Sequence, residues 1–293
     1  MKAQLHPSEA PWHFPLALPT NPLKRIAAIK IGQILAMLMP TIANDFVNGL
    51  RPSSRKLRDR LILAYLVENH LKAGRLDELS HLHHLYWQSH LALSAHTELE
   101  KSAESRIQLH HELVNHLEAL ARPGLYRTLC EIGCGNGWTL NYLAGRFETV
   151  ERFIGLDLSQ EQIQLDRGRY PNPKLNFICA DALAWIETEG RPGWIFWCHG
   201  GVFEYLPQKQ LERLLSFVAD NLRPAVFAIA EPLAPDHHLP SEKDSRPFGR
   251  ELSFSHNHDA LFRQAGFAIH YSDDWNNQKG WRLMRMIAMT PAE

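Results

Sequence analysis

The chain has 293 residues, 45% apolar and 22% charged, the composition of a soluble globular protein of one large or two modest domains. Its formal net charge is −1, with no long run of either sign, so the basic footprint of non-specific nucleic-acid binding is missing and no nucleic-acid partner is expected. The four cysteines, Cys130, Cys134, Cys179 and Cys198, lie on or beside predicted core strands without zinc-finger spacing, which points away from a disulfide framework and fits a reducing cytoplasm.

Residues 1–23 carry five prolines and little periodicity and are expected to form an extended arm. Met1–Thr20 lacks the continuous apolar core of a signal peptide. From Pro22 the pattern is helical, with Ile31, Ile34, Leu35, Leu38 and Ile42 at helical spacing. The stretch Ile26–Ile42, interrupted by Lys30 and Gln33, is too short to span a bilayer. Lys24, Arg25 and Lys30 beside its apolar stripe would suit an anionic membrane surface. Packing on the protein itself or on a second subunit is the commoner role of such a helix, so a homodimer through the N-terminal helices is kept open and peripheral membrane contact is not favoured.

Leu61–Leu71 and Leu79–Leu91 read as two further helices. A longer one is predicted over 97–120, with Leu109, Leu113, Leu117 and Leu120 on one stripe and Pro123-Gly124 as its stop. Residues 1–122 are therefore assigned to an arm and an α-helical cap, and 123–293 to a second, α/β domain. Within the cap, the run His81–His90 puts His83, Trp87 and His90 on one helix face. Residues seven apart on a helix stand about 10 Å apart, too far for one metal ion, so no metal is assigned. Tyr86 and Trp87 are instead candidate substrate contacts, as is Tyr205 further along.

Strands begin at Arg127 and alternate with helices to the end, the pattern of a doubly wound sheet. The first strand ends in Glu131 and opens into Gly133, Gly135 and Gly137 before a helix. Glycines serve where the backbone takes positive φ or lies against a ligand, and a helix N-terminus suits an anion. Twenty residues past Gly137, Phe153-Ile154-Gly155-Leu156 ends in Asp157, placed to accept from both hydroxyls of a ribose. A third strand ends in Asp181-Ala182, where the Asp also suits a helix N-cap. A fourth, Trp194–Cys198, runs into His199-Gly200-Gly201, and a fifth, Ala225–Ala230, into Glu231. After a loop over 232–252 come Ser253–His258, a helix near 257–265, and two closing strands, Phe267–Tyr271 and Leu283–Met289.

The spacing Gly-x-Gly-x-Gly after Glu131, with Asp157 and Asp181 at the next two strand ends, resembles the class I S-adenosylmethionine-dependent methyltransferases. The resemblance implies a mostly parallel seven-stranded sheet with helices on both faces, closed by an antiparallel last strand. It implies S-adenosylmethionine as cofactor, its methionine part on the loop of Glu131, Gly133, Gly135 and Gly137. It also implies Asp181 accepting from the adenine amino group, the Ala182 N–H donating to the ring, and the 199–207 loop facing substrate.

Oxygen nucleophiles need a base, and the polar residues at the strand ends are the candidates: His199 first, then His256 and Glu231. The Asn/Asp-Pro-Pro-Tyr/Phe run of base-methylating enzymes is absent after the fourth strand, and the cysteines look too buried for arsenite chemistry. A small molecule or sugar remains as acceptor, with O-methylation expected. The alternatives are a nicotinamide-dependent oxidoreductase, opposed by the glycine spacing, and a methyltransferase fold kept only as a binding module.

Overall fold

A computed structural model describes residues 17–51, 54, 56–100, 103–277 and 282–291, without the side chains of 98–100. The arm predicted over 1–23 lies, up to residue 16, outside the described residues. Helix α1 (Pro22–Leu38) starts at Asn21, whose side chain accepts from the Lys24 N–H, and carries proline at its first position. The apolar stripe continues through Ile42 in the sequence, but the helix stops at Met39. Pro40 opens α2 (Pro40–Val47), bent 105° from α1. Proline lacks the N–H that a continuing helix would use and clashes with the preceding turn. Gly32 lets α1 lie directly on α3 (Leu57–Lys72), because a Cβ there would stand 2.0 Å from the Leu61 carbonyl oxygen.

Helix α4 spans Leu76–Gln88. The single helix expected over 97–120 is instead the end of α5 (Ala92–Glu100), then α6 (Ala103–Leu109) and α7 (His111–Ala121). Its leucine stripe crosses a break at His110, whose ψ is 14° and whose N–H returns to the Arg106 and Ile107 carbonyls. That break turns the buried His110 ring edge-on to His199, 5.7 Å between centroids.

The seven-stranded sheet is present as expected. Its strands are β1 (Thr128–Ile132), β2 (Arg152–Asp157), β3 (Leu175–Cys179), β4 (Trp194–His199), β5 (Ala225–Leu233), β8 (Ala268–Asn276) and β9 (Arg282–Met289). The order is β3-β2-β1-β4-β5-β9-β8. The first five strands are parallel, and β9 runs antiparallel to both its neighbours. Burial on both faces explains why the central strands are near-continuous apolar runs. One face is covered by α10 (Ala182–Glu189), α11 (Gln208–Asn221) and α12 (His258–Gln264), through Ile186, Leu214 and Leu261. The other is covered by α7, α8 (Trp138–Arg146) and α9 (Gln160–Arg169), through Leu117, Leu140 and Ile163. α7 thus shares a core with the sheet.

A third core joins Phe46, Leu63, Val67 and Leu82 to Leu252 and Phe254. Phe254 belongs to a short ribbon, β6 (Arg246–Phe248) with β7 (Ser253–Ser255), inside the segment read as a loop. Three residues per strand are too few for alternation to be visible. The strand order reverses between β1 and β4, and their C-terminal ends open the crevice where ligands bind in such sheets.

Candidate active site

The glycine loop takes the backbone the spacing requires. Gly133, Gly135 and Gly137 have φ of 71°, 51° and 68°, a region that side-chain-bearing residues rarely enter. The loop is also crowded: a Cβ on Gly133 would meet Val202 Cγ2 at 2.5 Å. Asp157, at the tip of β2, accepts from the Gly135 N–H at 3.0 Å and from the Ser159 N–H at 2.9 Å. Glu131 is fully buried beneath the loop. Burial pushes its carboxyl well above the usual range, Asp157 and Asp166 add to this, and Arg106 opposes it. Asp181 caps α10 by accepting from the Ala184 N–H at 2.9 Å, while its other oxygen lies 3.8 Å from His84 Nδ1.

One pocket gathers most of the residues singled out by sequence. Gly133, Gly135, Asp157, Asp181, Ala182, His199, Trp87 and Tyr205 all line it. Glu131 and Gly137 support its loop from behind. Tyr86, expected to contact substrate, is buried instead in the core of α3 and α4.

The remaining wall comes from the helical region, where Trp87 was a sequence candidate and Ser80, His96 and Arg106 were not. Ser80 and His84 of α4, His96 of α5 and Arg106 of α6 line the pocket with Trp87. His96 stands over the glycine loop, 3.1 Å from where a Cβ on Gly135 would lie, with Nε2 3.9 Å from Asp157 Oδ1. Burial holds its imidazole below the ordinary value, and Asp157 opposes the shift. The Asn136 amide donates to the His96 carbonyl at 3.2 Å, tying α5 to the loop. Trp87 packs between His96 and Tyr205, at centroid distances of 5.5 and 5.7 Å. The Ser80 hydroxyl donates to the Tyr205 carbonyl at 2.7 Å.

After β4 the chain turns through Gly200 and Gly201, with φ of 86° and 88°. His199, the last residue of β4, is packed with Nδ1 3.8 Å from Glu131 Oε1. Burial first, then the positive charge of Arg106 and the neighbouring His110, push its pKa well down. These causes disfavour the protonated ring, so the imidazole is neutral near pH 7.

The two other base candidates do not line the pocket; Glu231 is committed to β4 and the loop after it, and His256 to that loop and to Ser245. Glu231 accepts from the Phe203 N–H at 2.9 Å, the Val202 N–H at 3.3 Å and the Cys198 thiol at 3.4 Å. Burial raises it to about 7 against the pull of those donors. His256 is fully buried, with Nε2 2.9 Å from the Phe203 carbonyl and Nδ1 2.6 Å from Ser245 Oγ.

A structural role for His256 has a pH signature. Burial holds its pKa at about 4, below its ordinary 6.5. Its contribution to stability is full above the unfolded value and is lost as pH falls from about 6.5 toward 4, because only the unfolded chain takes the proton there. Urea melts over that range should show a shallower acid loss for His256→Gln than for the native chain. His256→Ala should cost about 1–3 kcal/mol at pH 7, because the Ser245 hydroxyl loses its imidazole partner and the Phe203 carbonyl loses one of its two donors.

Residues 129–225 match the family described as "Methyltransferase domain". No curated protein matches the chain. Among solved structures, it is similar to magnesium protoporphyrin IX methyltransferase from Synechocystis with bound S-adenosylmethionine, at 16% identity over 62% of this chain and 80% of that one, TM-score 0.44. An S-adenosylmethionine-dependent methyltransferase from Mesorhizobium loti matches at 16% identity over 56% of this chain and 90% of that one, TM-score 0.41. The methyltransferase domain of a bacterial Hen1 matches at 13% identity over 61% of this chain and 97% of that one, TM-score 0.45. The strand order, the glycine loop and the family match define a class I methyltransferase domain. That methyltransferase domain accounts for residues 129–225 of the chain.

The pocket fits this cofactor on its own geometry. Three positive-φ glycines open the backbone toward a ligand, and carboxylates stand at the ends of β2 and just past β3. When bound, S-adenosylmethionine supplies a methyl group activated by a sulfonium.

Proposed function

We propose that the chain methylates an oxygen of a small molecule or sugar, with His199 as the base. The observation that carries this reading is the His199 imidazole lining the cofactor pocket at the end of β4. Asp157 would hold the ribose hydroxyls through the lone pairs its two loop N–H partners leave open. Asp181 and Ala182 would meet the adenine, and the loop around Gly135 the methionine end. Arg106, lining the same pocket near Glu131 and His199, adds positive charge that suits a carboxylate. His199 would take the acceptor's hydroxyl proton as the oxygen bonds to carbon, and pass it to water afterwards.

The walls of α4, α5 and α6 support a small acceptor, since Ser80, His84, Trp87 and His96 stand where a polymer would have to lie. Exclusion of water by such a wall favours displacement at carbon, where orientation of the two reactants supplies much of the rate. The direct test is transfer of labelled methyl from S-adenosylmethionine into a metabolite extract. Label in a small alcohol or sugar supports the proposal; label only in protein, nucleic acid or an amine overturns it.

A further inference from the structure

α1 packs on α3 through Gly32 and Ala36, and among the described residues nothing covers its opposite face. That face is apolar: Leu23, Ile34, Met37 and Leu38 are 78%, 56%, 67% and 73% exposed, and Ile26 and Ile31 about half. Lys30 is the one charge among them, and Lys24 flanks them. Leu50 and Leu57, at either end of the loop from α2 to α3, are also exposed, at 76% and 70%. Isolated exposed apolar residues are ordinary, but a contiguous apolar face on one helix marks an interaction surface.

Charge selects the occupant. Residues 22–60 hold eight Lys or Arg and two Asp or Glu, an excess of six positive charges in a chain whose total is −1. Part of that charge is paired: Arg25 with Glu68, and Arg51 and Arg58 with Asp59. Lys24, Lys30 and Lys56 point to solvent. A second copy seated symmetrically on this face would oppose two basic segments, which disfavours self-association. An anionic lipid surface meets both features, apolar side chains entering the acyl boundary and lysines meeting the headgroups. Among the described residues no single helix is long and apolar enough to cross a membrane, and the α1–α2 pair is bent by 105°. With its inner face packed on α3, α1 can lie along a surface without leaving the protein.

We propose that the outer face of α1 docks the protein on anionic lipid membranes. The test is co-sedimentation of the full chain with phosphatidylcholine vesicles, with and without about 30% phosphatidylserine, at about 0.1 M salt. Binding should be tenfold or more stronger on the anionic vesicles. It should fall at least as far in Ile34→Asp/Met37→Asp and in Lys24→Glu/Lys30→Glu, roughly one decade per 1.4 kcal/mol. S-adenosylhomocysteine binding, measured by calorimetry, should be unchanged in both variants, which shows them folded. No binding to anionic vesicles overturns the proposal, as does equal binding to both vesicle types. A dimer in light scattering that Ile34→Asp/Met37→Asp dissolves also overturns it, assigning the face to a second copy.

Discussion

Asp157→Ala is expected to weaken S-adenosylhomocysteine binding by about 10²–10⁴-fold. Two charge-assisted hydrogen bonds to ribose hydroxyls vanish, each worth about 1.5–3 kcal/mol, and every 1.4 kcal/mol is a factor of ten. The same carboxylate anchors the Gly135 and Ser159 N–H groups, so the variant also frees the loop that faces the cofactor. Asp157→Asn separates the two effects. It keeps one acceptor oxygen and the side-chain volume, and should fall between native and alanine. Calorimetry reads the dissociation constants, and an unchanged value in folded Asp157→Ala removes this residue from the cofactor site.

His199→Ala should lower turnover by roughly 10²–10⁴, the usual range for a general base. Its dissociation constant for S-adenosylhomocysteine should change only a few-fold. The pH profile carries independent information. Burial and Arg106 hold the imidazole well below 6.5, so native turnover should not decline as pH falls through 6.5, and its acid limb should lie lower. Normal turnover in His199→Ala would point to catalysis by orientation alone, because Glu231 and His256 spend their polar atoms on the loop after β4 and on Ser245. A large fall in cofactor affinity with unaffected single-turnover chemistry would make His199 a packing residue.

The strand tips were legible because parallel strands buried on both faces announce themselves as apolar runs, and because Gly133, Gly135, Asp157 and Asp181 sit at their ends. The same burial hid the orientation of Glu231. β5 is buried along almost its whole length, so no alternation says which way that carboxylate turns. The helical region was harder for the opposite reason. Its leucine periodicity runs unbroken through His110, where the backbone is not helical, and a stripe of side chains cannot report a kink that preserves it. Arg106 and His96 were missed with it, since nothing local in 92–109 ties those helices to the loop after β1. Trp87 lines the pocket and its neighbour Tyr86 is buried in the helical core, a difference of one step around a helix.

The pocket is walled by two stretches far apart in the chain, Ser80 to Arg106 and Ile132 to Gln210. A ligand seated between them acts as a keystone. Its binding free energy must be surrendered before α4, α5 or α6 can swing away. A ligand at a hundred times its dissociation constant adds about 2.7 kcal/mol to the opening of those helices. Amide hydrogen exchange should therefore slow most in α4–α6, where few other contacts to the sheet hold the wall, and least in the strands themselves. A fragment beginning at residue 123 would keep the glycine loop and both aspartates, yet it would hold the cofactor in half a socket.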